Sequence, residues 1–162
     1  MKFGIKLHED NEEWMPEKAH ASDAGFDLKA RAYCEVDDPV IGDEAELAPE
    51  TVKMLQPGKR ILIKTGVGIG LVPGWEAQIR PRSGNALKSG ITVTNSPGTI
   101  DAGYRNEIGV ILQNTSHLPF AISRGSKVAQ LVVKKVPEVE LCGVSDLDDT
   151  DRGLGGFGST GG

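Results

Sequence analysis

The chain has 162 residues, a formal net charge of −5 and a hydrophobic content of 38%. This length favours a single domain, and the acidic balance argues against non-specific nucleic-acid binding, which needs a basic face. Glycine is abundant, with 21 residues, while aromatic residues make up only 5% of the chain. This composition is typical of a loop-rich all-β protein with many tight turns.

The two cysteines, Cys34 and Cys142, lie far apart and form no CxxC motif. We therefore expect free thiols rather than a zinc site or a disulfide framework. The N-terminus lacks the apolar segment of a signal peptide, and no apolar run reaches membrane-spanning length. These features predict a protein without membrane contact, in the cytoplasm or in a host cytoplasm if the gene is viral.

The N-terminal segment alternates apolar and polar residues, with Phe3, Ile5 and Leu7 at every second position. This period of two predicts a first β-strand. Residues 9–20 are polar and are interrupted by a proline, so we expect a loop there.

A single carboxylate follows this loop, on the next predicted strand. Gly25 permits a bend, and Asp27 stands between apolar Phe26 and Leu28. On a strand the Asp27 side chain points away from both neighbours. Asp27 is therefore either an exposed residue at a sheet edge or part of a functional site.

Two segments in the first half of the chain carry no recognisable chemistry. Residues 35–50 are acidic and contain two prolines, and we interpret them as a surface excursion. Residues 66–70 read GVGIG, but a dinucleotide-binding fingerprint needs a following helix in a βαβ unit, which the sequence does not predict. No phosphate-binding P-loop motif occurs in the chain.

A short basic turn follows the strand that ends near residue 80. Arg82, Ser83 and Gly84 come directly after a proline, and residues 85–88 can continue a helical turn. Free N–H groups and the positive end of a helix dipole suit phosphate oxygens. The alternative is that Ser83 is an ordinary helix N-cap.

The stretch from 91 to 114 predicts a strand, a turn and a second strand. Asn95, Asp101 and Tyr104 lie at and between its turns. An amide can read a flat polar ring, an aromatic ring can pack on a sugar or base, and a carboxylate can take a proton from water. The alternative is a plain hairpin whose Asp and Asn serve only the turns.

The C-terminal third predicts two further strands and then irregular chain. Gln130 shares one face of the last strand with apolar Val128, so a buried Gln130 needs a partner, and a neighbouring backbone group is the alternative to a ligand. Residues 134–151 run from basic to acidic and predict an extended strand followed by a solvated linker. Residues 152–162 are too glycine-rich to form a core, but such a segment can close over a ligand as a lid.

Five short segments together resemble the homotrimeric dUTP pyrophosphatase (dUTPase) family, which is marked by five motifs in this order. They cover about a third of the chain and span nearly all of it. They are ASDAGFDL at 21–28, PRSGNALKSGI at 81–91, NSPGTIDAGYRNE at 95–107, RGSKVAQLV at 124–132 and RGLGGFGSTGG at 152–162.

The resemblance implies a fold, an assembly and a reaction. The fold is an all-β, distorted jelly roll like a β-barrel, with residues 1–145 as one β domain. Residues 146–162 are then an acidic linker and a flexible glycine-rich lid. The assembly is a three-fold homotrimer whose active sites draw on all three subunits. The reaction is hydrolysis of dUTP to dUMP and pyrophosphate, which keeps uracil out of DNA and supplies dUMP for dTMP synthesis.

The resemblance also implies roles for residues of the third motif. Asp101 matches the carboxylate that activates water for attack on the α-phosphorus. Asn95 matches the residue that reads the uracil edge, with Gly98 and Ile100 of the same hairpin beside it. Tyr104 matches the ring that packs on the deoxyribose and leaves no room for a 2′-hydroxyl.

The phosphate-binding residues implied by the resemblance come from other motifs. Arg82, Ser83 and Gly84 match the phosphate-binding turn, and Gln130 matches a residue near the α-phosphate. Mg²⁺ is expected to be held mainly by the substrate phosphates, with its water shell near Asp27.

The last motif supplies the implied lid. Phe157 matches the aromatic residue that covers the uracil, and Arg152, Gly156, Ser159 and Thr160 match the groups near the γ-phosphate.

Three positions depart from the usual family pattern, namely Asn85, Asn106 and Ser126. They put subunit contacts and phosphate geometry in doubt more than the activity. Two alternatives to a dUTPase stay open. One is an enzyme like dCTP deaminase, which is similar in fold and acts on the base, and the other is a regulatory nucleotide-binding module with the same fold. We also hypothesise that residues 35–50 form a species-specific surface for a partner.

Overall fold

The computed structural model describes residues 1–37, 40–151 and 153. Over these residues it contains one short α-helix, α1 (Ser83–Ser89), and two 3-10 turns, His8–Asp10 and Glu12–Trp14. The strands are β1 (Gly4–Leu7), β2 (Phe26–Lys29), β3 (Ala32–Asp37), β4 (Val40–Glu46), β5 (Val52–Leu55), β6 (Arg60–Lys64), β7 (Val67–Gly70), β8 (Trp75–Pro81), β9 (Ile91–Val93), β10 (Gly98–Ile100), β11 (Gly109–Asn114), β12 (Phe120–Ser123) and β13 (Lys127–Lys135). In the described part of the chain no helix is long and apolar enough to cross a membrane.

Most strands belong to two larger sheets, in which the described pairs are antiparallel. The first sheet has the order β10-β8-β13-β2, and the second has the order β4-β3-β6-β11-β9. Strands β1 and β7 form one smaller pair, and β12 and β5 form another. The prediction of an all-β protein is confirmed.

One hydrophobic cluster joins buried side chains of both larger sheets. In the second sheet, Ile63 of β6 lies opposite Val110 of β11, and in the first, Leu131 of β13 lies opposite Ile79 of β8. All four side chains are buried. Because successive side chains of a strand alternate between two faces, every second residue of β11 is buried.

The segment from 91 to 114 links the two sheets. Strand β9 pairs with β11, with Val93 opposite Leu112, which confirms the predicted strand, turn and strand. Strand β10 lies between them in sequence but pairs with β8, where Gly98 lies opposite Ile79. The turns around β10 are therefore held at the boundary of both sheets.

Two sequence interpretations need correction. Residues 9–20 contain the 3-10 turn Glu12–Trp14 and the end of the turn His8–Asp10, and Trp14 among them is a core residue with 1% exposure. Residues 35–50 are largely the antiparallel pair of β3 and β4, in which Ala32 lies opposite Glu46. Their strand character was hidden because nearly every residue of β4 is exposed, so that no alternation of apolar and polar residues marks the strand.

Other expectations for the first half of the chain are confirmed. Strand β1 pairs with β7 over its whole length. The last four residues of the GVGIG segment form β7, which leads to β8 without an intervening helix. Cys34 is buried on β3, Cys142 is exposed, and both are free thiols.

Candidate active site

A cavity of about 200 Å³ lies beside the turns that flank β10. It brings together the five residues of the third motif that the sequence singled out. Its lining residues are Ile79, Val93, Asn95, Gly98, Thr99, Ile100, Asp101, Tyr104 and Gly109.

Asn95 is placed at this cavity by close packing against Gly98. A Cβ atom at Gly98 would lie 3.3 Å from Nδ2 of Asn95 and 3.4 Å from the Cβ of Ile79. Since few real Cβ contacts are this short, a larger residue at position 98 would push the amide away. The glycine therefore lets an amide, which can both donate and accept, stand at the edge of the cavity.

Asp101 and Tyr104 are held by a tight turn. The Tyr104 N–H donates to the Asp101 carbonyl oxygen at 3.0 Å, and the Tyr104 hydroxyl donates to the Glu107 carbonyl oxygen at 2.8 Å. The Arg105 guanidinium donates to the Ala102 carbonyl, to the Tyr104 carbonyl at 2.9 Å and to a carbonyl of the loop after β7. The turn is thus held by several hydrogen bonds, while Asp101 stays exposed at the cavity.

A second group of polar residues surrounds Asp27 on β2. Asp27 is 3% exposed, so the alternative of an exposed edge residue is wrong. One carboxylate oxygen accepts from Nε of Arg82 at 3.0 Å, and the other lies 2.9 Å from Nζ of Lys127. Burial by itself raises the pKa of Asp27, but the hydrogen bond and charge of Lys127, with those of Arg82, outweigh it and hold the pKa below its ordinary value.

Gln130 lies next to this group. On β13 it is opposite Asp27 of β2 on one side and Arg80 of β8 on the other. A Cβ atom at Gly25 would lie 3.2 Å from Cδ of Gln130, so Gly25 makes room for the amide. The Gln130 side-chain amide has no hydrogen-bond partner among the described residues. The alternative, in which a neighbouring backbone group bonds to this amide, is therefore not seen in the described part of the chain.

The basic turn after β8 begins helix α1. Arg82 is the residue that precedes the helix, and no side chain caps it, so the alternative that Ser83 is the N-cap is wrong. Ser83 and Gly84 are both exposed at the start of the helix. Arg82 is therefore held at the carboxylate of Asp27, while the hydroxyl and N–H groups beside it face solvent.

Two of the three departures from the family pattern have local structural roles. The Asn85 amide donates to the Lys127 carbonyl oxygen at 3.3 Å, which joins α1 to the start of β13. The Ser126 hydroxyl accepts from the Ser123 N–H at 3.0 Å and closes the turn between β12 and β13. Neither residue lines the cavity that contains Asp101.

The described residues contain no group of three or more His, Cys, Asp or Glu side chains arranged to hold a metal ion. Asp27 already has a cation at each carboxylate oxygen. In one chain, the described donors therefore do not fit a metal ion held by protein side chains alone.

The cavity and the Asp27 group are two separate clusters within one chain. The cavity lining includes none of Asp27, Arg82 and Gln130. Strand β8 connects them, because Ile79 lines the cavity and Arg82 follows the end of the strand. The lid residues implied by the fifth motif, Arg152, Gly156, Phe157, Ser159 and Thr160, lie outside the described residues.

Sequence reasoning missed two residues that shape these clusters. Lys127 stands three positions before Gln130 inside the fourth motif. This nearness to Gln130 is the sequence feature that could have identified Lys127. Glu107 closes the third motif and accepts the Tyr104 hydrogen bond through its carbonyl oxygen. No sequence pattern distinguished Glu107 from the other acidic residues.

Known proteins share the sequence of this chain over most of its length. A protein-family model described as dUTPase matches residues 46–161. A deoxyuridine 5′-triphosphate nucleotidohydrolase of Clostridium tetani (strain Massachusetts / E88) is 46% identical over 157 residues, which are 97% of this chain and 94% of that protein. A protein of the same name from Gloeothece citriformis (strain PCC 7424) is 47% identical over 147 residues, or 91% and 88% of the two chains.

Solved structures share the fold at lower identity. A variant of the dUTPase of phage 80alpha superposes with a TM-score of 0.74 at 24% identity, covering 98% of each chain. The Staphylococcus bacteriophage 80alpha dUTPase with dUPNHPP gives a TM-score of 0.73 at 23% identity, covering 99% of this chain and 98% of that one. A variant dUTPase from phage phi11 of S. aureus, with a structural Mg(II) ion, gives 0.69 at 22% identity, with 90% and 98% covered.

Proposed function

The chain belongs to the dUTPase family, and from this premise we propose that it hydrolyses dUTP to dUMP and pyrophosphate. Such an enzyme keeps uracil out of DNA and supplies dUMP for dTMP synthesis. The observation that carries the proposal is the cavity beside β10, where an amide, a carboxylate and an aromatic ring meet.

Recognition of base and sugar is assigned to this cavity. The Asn95 amide can pair with the donor and acceptor of the uracil edge, and Gly98 and Ile100 line the cavity beside it. The Tyr104 ring, fixed by its hydroxyl bond to Glu107, would pack on the deoxyribose. A ring held this tightly can exclude a 2′-hydroxyl by steric clash.

The chemical step is assigned to Asp101. Its exposed carboxylate at the cavity would accept a proton from a water molecule whose oxygen attacks the α-phosphorus. The bond from the α-phosphorus to the bridging oxygen then breaks, and pyrophosphate leaves. The rigid turn that carries Asp101 suits this role, since phosphoryl transfer depends mainly on alignment and charge stabilisation.

Phosphate binding is assigned to Arg82, Ser83, Gly84 and Gln130. The Asp27 carboxylate orients the Arg82 guanidinium through Nε, which leaves its terminal nitrogens for phosphate oxygens. Phosphate contacts from Arg152, Gly156, Ser159 and Thr160, and a lid with Phe157 over the uracil, are proposed from the family motif alone.

Mg²⁺ is proposed to enter with the triphosphate rather than to reside in the protein. The described donors offer no side-chain cage for it, and Mg²⁺ is commonly held by substrate phosphates with several waters. Bound there, it would neutralise charge on the phosphates, with its water shell near Asp27.

A homotrimer is proposed as the active assembly. The support is that the cavity with Asp101 and the group around Arg82 are separate within one chain. A three-fold assembly would let the cavity of one subunit face the phosphate-binding residues of another. Light scattering of the purified protein measures its oligomeric state, and an active monomer would contradict the proposed homotrimer.

The test of the reaction is product analysis with four nucleotides. The protein is incubated with Mg²⁺ and with dUTP, UTP, dTTP or dCTP, and pyrophosphate and ammonia are measured, with EDTA in a parallel series. Pyrophosphate from dUTP alone, abolished by EDTA, is expected. Pyrophosphate from all four would refute the assigned base and sugar recognition. Ammonia from dCTP would indicate a deaminase, and tight dUTP binding without product would indicate a regulatory module.

Asp101→Asn tests the proposed catalytic residue. The variant should bind dUTP but lose about 10²–10⁴ in kcat, the usual contribution of a general base. Asp43→Asn is the matched control, because Asp43 is an exposed carboxylate on β4, outside the cavity lining. A kcat for Asp101→Asn equal to that of the control would contradict the assignment.

A further inference from the structure

A buried arginine connects the acidic strand β4 to Glu107, which follows the turn that carries Asp101 and Tyr104. Arg31 precedes β3 and is 1% exposed. Its guanidinium pairs with Glu44, at 2.6 Å, and with Glu46, both on β4. It also pairs with Glu107 at 3.2 Å. Because a buried guanidinium needs partners, these contacts hold β4 and Glu107 together.

The Glu107 carboxylate is fixed from three directions. Besides Arg31, it accepts the Gly66 N–H at 2.6 Å and lies 3.3 Å from Nζ of Lys64. Burial by itself raises the pKa of Glu107, but the Gly66 hydrogen bond and the Arg31 charge outweigh it, so the pKa lies below its ordinary value. Glu107 therefore keeps its negative charge in the partly buried site.

The backbone of Glu107 in turn holds Tyr104. The Glu107 carbonyl oxygen accepts the Tyr104 hydroxyl at 2.8 Å. The next residue, Ile108, is buried, and its N–H donates to the Val67 carbonyl at 2.7 Å. The contacts of the Glu107 carboxylate and this backbone bond together hold the carbonyl that fixes the ring.

Glu107 does not line the substrate cavity. That cavity is lined by Asp101 and Tyr104, whereas Glu107 lines a different cavity of about 240 Å³ with Arg105 and Asn106. Among the described residues its carboxylate contacts Arg31, Gly66 and Lys64, all of them outside the lining of the Asp101 cavity. Glu107 is therefore placed to position other residues rather than to contact dUTP.

We propose that Arg31 and Glu107 are positioning residues for dUTP hydrolysis, and that Glu44 and Glu46 hold Arg31 in place. This inference rests on the proposed function of the Asp101 cavity. It gives Glu44 and Glu46 of the acidic strand β4 a part in catalysis. The physical reason is that a shift of about 1 Å in a catalytic group can cost about 10²-fold in rate.

Glu107→Gln is the first test, because glutamine keeps the volume and the acceptor for the Gly66 N–H while it removes the charge. We expect kcat to fall about tenfold to a hundredfold, with a smaller change in KM. Glu13→Gln is the matched control, since it breaks the Arg124–Glu13 pair of 2.9 Å away from the turn. A folded Glu107→Gln variant with the kcat of this control would overturn the proposal.

A double-mutant cycle tests whether the two residues act through one contact. Arg31→Met fills the same space without charge, and it is combined with Glu107→Gln. If both act through their mutual pair, the double variant loses no more kcat than the worse single variant. A loss equal to the product of the two single losses would overturn the shared role. If Arg31→Met does not fold, Glu44→Gln combined with Glu46→Gln replaces it, and wild-type kcat there would exclude a role for the acidic segment.

The turn can also be followed without activity. The chain has two tyrosines, Tyr33 and Tyr104, so 3-fluorotyrosine labelling gives two ¹⁹F signals, assigned with Tyr104→Phe. We expect Glu107→Gln to move the Tyr104 signal and to leave the Tyr33 signal in place. An unmoved Tyr104 signal would overturn the positioning role. A wild-type protein inactive on dUTP would instead refute the proposed function, and the ¹⁹F signals separate these two failures.

Discussion

Replacing Asp27 by asparagine should weaken the fold by an amount that depends on pH. The substitution keeps the side-chain volume but removes the charge that pairs with Arg82 and Lys127. Removing one partner of a fully buried ion pair costs about 3–5 kcal/mol. The Arg82 and Lys127 side chains are 30% and 43% exposed, so they can turn to water, and we expect about 1–3 kcal/mol.

The pH dependence follows from the lowered pKa of Asp27. A carboxylate with a folded-state pKa below its ordinary value of 3.8 stabilises the fold above pH 3.8, and this stabilisation is lost as pH falls through the folded-state pKa. The stability difference between the wild type and Asp27→Asn should therefore be full at pH 7. It should shrink once the pH is well below 3.8.

Urea unfolding followed by tryptophan fluorescence measures the free energy of unfolding, and repeating it at several pH values gives the pH dependence. The protein concentration is kept fixed, because the stability of an oligomer depends on it. At pH 7 the melting temperature should also fall by about 2–12 °C, using about 2–4 °C per kcal/mol for a chain of this size. Asp43→Asn, on the exposed strand β4, is the control. An Asp27→Asn loss at pH 7 equal to that of the control, or equal at pH 7 and pH 3, would refute the reasoning.

Two further changes have clear expected outcomes. Gly66→Ala should cost about 1–3 kcal/mol or more, because its φ is +73° and a Cβ would lie 2.8 Å from Cγ of Trp14. Gly58→Ala has the same φ strain at +74° in open space, so equal urea midpoints for the two variants would contradict the clash. Removal of residues 152–162 should leave the circular dichroism spectrum unchanged and lower kcat for dUTP by about tenfold or more. A truncated chain that does not fold would exclude a lid.

The third motif was predictable because its residues are close in sequence. Asn95, Asp101 and Tyr104 lie within ten residues of each other, and turn chemistry brings such neighbours together locally. The structure places all three at one cavity, as predicted. Their arrangement needs only one turn, a short strand and a second turn.

The surroundings of Asp27 could not be derived in the same way. Arg82 lies 55 positions away in sequence, and Lys127 belongs to the strand that pairs with β2. Local alternation indicated which way the Asp27 side chain points but not what covers it. The long-range pairing of β2 with β13 decided that the carboxylate is buried and paired.

The same distinction applies to the acidic segment and to the loop before it. Composition identified residues 35–50 as acidic surface, and β4 is indeed mostly exposed. Composition did not indicate that Glu44 and Glu46 partner the buried Arg31, or that Trp14 packs over Gly66. A count of charged residues does not show which opposite charges form pairs in the folded chain.

By itself the sequence determined the β class, the family and the residues of the third motif that line one cavity, because these depend on composition, on period-two alternation and on short motifs. Only the tertiary structure decided that β10 leaves the strand pair β9–β11 to join β8, and that Arg31 ties β4 to Glu107. Both depend on the pairing of segments distant in sequence, and that pairing is selected by burial of the whole core rather than by local preference.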